Sequence, residues 1–151
     1  PLMPFPVFDG HNDVLLRLFK RGGADAVQSF LAGEGKGQLD LPMARQGGFA
    51  GGLFAIFVPS SSGGSTSQSD APSVDLAAAQ KVAIAMASLL LRIERQSEGA
   101  VRMCRTAGDI EAARKAGALA AVLHLEGCEP IDEDFAFLDM LHAVGLRSLR
   151  P

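Results

Sequence analysis

Two stretches of this chain, Phe49–Val58 and Ala118–Leu125, are nearly unbroken in apolar residues, each preceded by a glycine and followed by proline or a charge. Strands buried on both faces have this composition, and such strands belong to parallel sheets. Phe5–Gly10 and Leu146–Leu149 are short apolar stretches that read as further strands, and Val101–Cys104 as a short additional one. Parallel neighbours need long crossovers, usually helical, and the intervening segments carry helical periodicity. In Val74–Glu98, Leu76, Ala79, Ala83, Met86, Leu90 and Ile93 recur at spacings of three and four. Val82, Ile84, Leu89 and Leu91 widen that face, so this helix is expected to be well buried. Thr106-Ala107-Gly108-Asp109 has capping-box spacing and predicts a helix to Ala116 with Gly117 as its stop. Asp132 is placed to cap a helix over Glu133–Val144 that Gly145 ends, and a shorter helix is expected after Asp13 through Leu18. The order of strand, helix, strand, helix, strand, helix, strand predicts an α/β fold built on a parallel sheet.

Composition narrows the function classes. Apolar residues make up 48% and charged residues 21% of the 151, enough apolar surface to offset the entropy of ordering, so a wholly disordered chain is excluded. A net charge of -3 gives no broad basic face, and no nucleic-acid partner is expected. The apolar stretch Val82–Leu91, ten residues between Lys81 and Arg92, falls short of the roughly 20 a membrane crossing needs. Pro1-Leu2-Met3-Pro4-Phe5-Pro6 has no basic region or cleavage pattern of a signal peptide, and two cysteines, Cys104 and Cys128, make no disulfide framework. A cytoplasmic setting is the expectation. Ser60–Ser73, rich in Ser and Gly, reads as a mobile insertion within one βα unit, and residues 1–151 as one domain.

Three residues stand out as candidates for chemistry. His11 and Asp13 lie two apart in Asp9-Gly10-His11-Asn12-Asp13, at the end of the first strand. In extended chain that spacing puts an imidazole and a carboxylate on one side, a suitable pair for a divalent metal such as zinc. The competing reading makes Asp13 the cap of the next helix and His11 a turn residue. Glu126 ends the third expected strand, after the apolar run that starts at Ala118, where α/β proteins place functional groups beyond the carboxyl ends of parallel strands. Glu129 reads as a solvated loop carboxylate and His142, in mid-helix, as a packing or surface residue. Glycines 47, 48, 51 and 52 are followed by no Lys-Ser/Thr pair, so a phosphate loop is rejected. Gly51 and Gly52 instead suggest close backbone approach. The serine-rich stretch has no His or Asp arrangement to activate a nucleophile.

The segments Asp9–Asp13, Gly51–Pro59, Leu125-Glu126-Gly127 and Leu138–Leu149, in that order, resemble the membrane dipeptidase (renal dipeptidase) family of zinc peptidases over nearly the whole chain. The resemblance implies a (β/α)8 TIM-type barrel, of which this chain is the N-terminal half, with two divalent metal ions, Zn2+, and a small dipeptide as substrate. It also implies that His11 and Asp13 bind one metal and that Glu126 bridges both. The family's second-metal histidines and substrate contacts come after the position of Pro151, and the 151 residues alone are expected to be inactive. Two alternatives stay open: a metal-dependent amidohydrolase acting on another small amide or lactam, and a non-enzymatic binding or oligomerisation module, with a homodimer as the partner of an open sheet edge at Leu146–Leu149. Glu126-Gly127-Cys128-Glu129 departs from the Glu-Gly-Gly-His common in the family, and Cys128 reads as a free thiol packing in a loop. His124 also departs. It precedes Glu126 by two, points the same way, and is expected to be buried with a hydrogen-bond partner one layer below the metals.

Overall fold

The computed structural model describes residues 6–59 and 75–151. The expected Ser60–Ser73 insertion and the expected element starts at Phe5 and Val74 lie outside the described residues. Five parallel strands alternate with helices. They are β1 (Val7–Asn12), β2 (Phe49–Phe57), β3 (Val101–Met103), β4 (Leu119–Glu126) and β5 (Leu146–Arg150). β1, β2, β4 and β5 lie side by side in chain order, the sequence of strands that a (β/α)n barrel uses. β3 pairs β4 at 119–121 and β5 pairs it at 123–126, so the two share one edge of β4.

The two apolar runs form the centre of the sheet, as their composition predicts. Phe54, Ala55 and Ile56 have no exposed surface, and β4 is buried from Leu119 to Leu125. Alternation divides each strand between two faces. Leu119, Ala121, Leu123 and Leu125 join Phe54 and Ile56 in the large cluster beneath the helices, while Ala120 and Val122 pack on the other side with Leu53 and Ala113. That second face carries His124 and Glu126 at the carboxyl end of β4. Gly51 lets β2 and β4 close on that face: a Cβ there would collide with the Ala120 carbonyl, and one on Gly52 would stand 2.9 Å from the Asp9 Cβ.

The helices are α1 (Val14–Arg21), α2 (Ala26–Ala32), α3 (Leu41–Gln46), α4 (Leu76–Gln96), α5 (Ala107–Lys115) and α6 (Ala136–Val144). The capping box of α5 is present in full, with Gly117 at positive φ after its end. Three expectations need correction. The Asp132 carboxylate does accept the Phe137 N–H at 3.1 Å, but residues 133–135 make a turn closed by the Phe135 N–H on the Asp132 carbonyl, so α6 starts at Ala136. α4 is buried on one face only, since Ile84 and Leu91 point to solvent. By length and composition α4 is long and apolar enough to cross a membrane, contrary to the ten-residue count. Its packing against α1, α2, β2 and β3 accounts for its apolar face as that of a core helix. α2 and α3 have no counterpart among the expected helices. The signal for α3 was present: Asp40 accepts the Met43 N–H at 2.8 Å, and Pro42 sits in the first turn.

Candidate metal centre

The site starts from an irregularity in β1. Asp9 pairs Gly52 and Asn12 pairs Phe54, so three steps along β1 oppose two along β2. The extra residue makes a β-bulge, a device that re-aims side chains. Asp9 holds the bulge through both carboxylate oxygens: one accepts the His11 N–H at 3.2 Å, the other the Asn12 side-chain amide at 3.3 Å. Asn12 in turn accepts the Val14 N–H at 3.4 Å. Asp13 stands at the N-cap position of α1 and makes no side-chain cap bond. The capping explanation of Asp13 therefore fails, and its carboxylate stays uncommitted.

The three sequence candidates meet. His11 Nε2 lies 3.5 Å from Asp13 Oδ1 and 3.5 Å from Glu126 Oε2. One ligand atom from each of the three falls within 4.8 Å of the other two. His11 and Asp13 come from the end of β1, and Glu126 is the last residue of β4, so they share the carboxyl rim of the sheet. Their side chains keep 39%, 59% and 32% of their surface exposed, which leaves the cluster open to solvent. Two carboxylates held this close repel unless a positive charge lies between them, and one imidazole nitrogen with two carboxylate oxygens is a donor set suited to zinc. By this test the residues present fit a divalent cation.

Beneath the cluster lies His124, buried to 5% exposure, with Nδ1 3.0 Å from the Ser148 hydroxyl. The buried and hydrogen-bonded histidine expected at this position is what the structure holds. Burial, and then the neighbouring His11, push its pKa down. Its ring meets that of His11 edge to face, centroids 5.9 Å apart.

A cavity of about 610 Å³ opens beside His11 and Asp13, walled by Arg17, Gln38, Leu39 and Phe49. Arg17 donates to the Leu39 carbonyl at 2.7 Å and pairs with Glu34 at 3.0 Å, which fixes the loop that forms the wall. Sequence reasoning passed over this loop, and over Asp9 and Asn12 as the residues that shape the bulge. The cue for the latter was two Asx residues flanking Gly10 and His11. On the loop after β4, two expectations change. Cys128 is exposed rather than packed. Glu129 is half-buried rather than solvated; its carboxylate folds over Gly127, with Oε2 buried and without a hydrogen-bond partner among the described residues. His142 is at the surface.

Comparison with known proteins gives a consistent picture. The family model described as membrane dipeptidase (peptidase family M19) matches residues 2–150. A solved metallo peptidase of that family, dipeptidase AC, is 43% identical with a TM-score of 0.86, over 99% of this chain and 43% of its own. A metallo peptidase from Rhodobacter sphaeroides, solved with a phosphinate mimic of the dipeptide L-Ala-D-Ala, is 40% identical with a TM-score of 0.84, over 97% of this chain and 45% of its own. An uncharacterized protein from the PQQ-III 3′ region of Acinetobacter calcoaceticus is 36% identical over 97% of this chain and 48% of its own length. The chain thus spans less than half of each of these relatives. By the extent of the family match, this chain belongs to the membrane dipeptidase family, peptidase family M19.

Proposed function

We propose that these residues form the first half of the active centre of a zinc-dependent dipeptidase. The carrying observation is the convergence of His11, Asp13 and Glu126 at one rim, with Asp13 released from capping duty by Asn12. His11, through Nε2, and Asp13 would hold one cation. Glu126 would complete the donor set for that cation and, as a carboxylate at the strand end, would be shared with a second one if the rest of a two-metal centre is supplied from outside these residues. Bound zinc supplies a Lewis acid for the scissile carbonyl and lowers the pKa of water to near neutrality. The chain's own part is to fix these donors on rigid strand ends and to shape the approach. The cavity beside His11 is of a size for a small ligand, and a dipeptide is the substrate in keeping with the family. The mimic bound by the Rhodobacter sphaeroides relative supports that substrate class.

Zinc titration of the metal-free 151-residue chain, with His11→Ala and Glu126→Gln alongside, tests the ligand assignment. We expect one tight ion, lost in both variants; two tight ions, or unchanged binding in the variants, would overturn it. Hydrolysis of a dipeptide panel by the zinc-loaded longer protein tests the substrate. Turnover of lactams or acylated amino acids with dipeptides at background would overturn the dipeptide assignment and leave the fold and metals in place.

A further inference from the structure

The proposed metal centre leaves the orientation of His11 unexplained. A histidine that binds metal through one ring nitrogen ordinarily donates the other N–H to a carboxylate, a carbonyl or water, which fixes the plane of the ring. His11 presents Nε2 to Asp13 and Glu126, and its Nδ1 has no hydrogen-bond partner among the described residues. What its ring does touch is His124, edge to face, at 5.9 Å between centroids and 86° between planes. An aromatic contact of this geometry is directional and attractive, so it restricts the torsion that a missing hydrogen bond would leave free.

His124 is itself held. It lies on β4, two strands away from β1, with Ala55 of β2 as its register partner between them. Ala55 has only a methyl group to place on that face, which leaves room for the two imidazoles to meet. On the other side β5 carries a second bulge: Leu123 pairs Leu146 but His124 pairs Ser148, so Arg147 is the extra residue. Arg147 donates to the carbonyls of Arg105 at 3.0 Å and His142 at 2.9 Å, which pins the bulge. Ser148 is thereby set directly opposite His124, with its hydroxyl 3.0 Å from Nδ1.

We infer that His124, anchored by Ser148, is a positioning residue that holds the imidazole of His11 in its metal-binding orientation. The inference rests on the proposed metal centre. It assigns work to a residue outside the three-residue cluster, and it gives the bulge at Arg147 a purpose: setting the register of the anchor.

The test is zinc affinity of the 151-residue chain by calorimetry, with the chemical shifts of the His11 ring nitrogens read by NMR in the zinc-free state. His124→Asn removes the ring and keeps a partner for Ser148. We expect it to weaken zinc binding by about ten- to a hundredfold, the range for partners that orient a ligand, and to shift the His11 ring signals. His124→Phe restores an aromatic edge without the hydrogen bond and should recover most of the affinity. Ser148→Ala, the smallest change, should produce a lesser loss in the same direction and serves if His124→Asn fails to fold. A His124→Asn chain that is folded and binds zinc within twofold of the parent overturns the inference, as does an unchanged Ser148→Ala or a His124→Phe no better than His124→Asn. His11→Ala, run in parallel, separates the two levels. If it abolishes zinc binding while His124→Asn changes nothing, only the positioning role falls; if it too changes nothing, the metal centre falls with it.

Discussion

Asn12, and not Asp13, supplies the side-chain oxygen at the start of α1, accepting the Val14 N–H at 3.4 Å, while Asp13 turns its carboxylate to within 3.5 Å of His11. Asn12 thus takes over the side-chain bond to a helix N–H that the N-cap residue ordinarily makes, and Asp13 is left to the cluster. The division separates stability from ligation. Asp13→Ala should leave the unfolding free energy of the metal-free chain within about 0.5 kcal/mol of the parent, because no side-chain cap bond is lost with it. It should reduce zinc affinity by at least the roughly ten- to hundredfold seen when a ligand's supporting partner is lost. Urea denaturation and zinc calorimetry on the same variant check both halves. A large loss of stability with unchanged zinc binding would restore Asp13 to the role of a cap.

The close approach of β2 and β4 makes a second prediction. Gly51 faces the Ala120 carbonyl with no space for a methyl group, whereas Gly10 in the β1 bulge has nothing within 4 Å of where a Cβ would stand. Backbone cannot yield as a flexible side chain does, so Gly51→Ala should cost about 1–3 kcal/mol, the range for overpacking a filled interior. Gly10→Ala should stay within about 0.5 kcal/mol. Equal midpoints for the two variants in urea would show that the sheet relaxes at Gly51.

The contrast between those glycines also shows what a sequence reveals. The two central strands were legible because burial on both faces forces nearly continuous apolar runs, as in Phe49–Val58 and Ala118–Leu125. The α5 boundaries were legible because Thr106, Asp109 and Gly117 act within a single turn of chain. The three candidates His11, Asp13 and Glu126 were legible from position along strands. Other features depend on contacts that no local window contains. The bulges at Gly10–His11 and Arg147 arise from pairing register between strands. The exposure of Ile84 and Leu91 depends on which side of α4 the sheet occupies. Glu129 curls over Gly127 because a glycine at φ 90° leaves that space empty, and its acidity gave no hint of it.

The capping box yields a prediction with a pH signature. Asp109 accepts the N–H groups of Arg105 and Thr106, each at 2.9 Å, while Thr106 accepts the Asp109 N–H at 3.1 Å. Those bonds, led by the one from Arg105, hold the Asp109 carboxyl below its ordinary value of 3.8. A carboxylate with a depressed folded pKa adds stability above its unfolded pKa, and that stability disappears as the pH falls through the folded value. Asp109→Asn should therefore be less stable than the parent at pH 7, with the gap closing as the pH drops below 3.8. Thr106→Ala removes a neutral acceptor instead and should cost about 1 kcal/mol. Below 3.8 this variant should keep more of its deficit than Asp109→Asn does. Chemical denaturation of the three chains at a series of pH values checks this; a gap for Asp109→Asn that is independent of pH would contradict it.

Edges of the sheet carry the last prediction. Among the described residues, β1 pairs only β2 and β5 pairs only β4, so each leaves one row of backbone donors and acceptors unpaired. Both edges also expose apolar side chains: Val7 at 51% and Phe8 at 45% on β1, Leu149 at 38% on β5. Unpaired strands of this character template further pairing. Because all strands are parallel, the free edge of β5 in one copy and that of β1 in another can join without reversing direction. The 151 residues expressed alone should therefore self-associate in a concentration-dependent manner by sedimentation velocity. Phe8→Lys and Leu149→Lys each place a charge on an edge, the device by which natural sheets prevent such pairing, and should shift the distribution toward monomer. Neither residue belongs to the metal cluster, so zinc affinity should be unchanged in both. A parent chain that stays monomeric as its concentration rises would mean that these edges are protected within the chain itself.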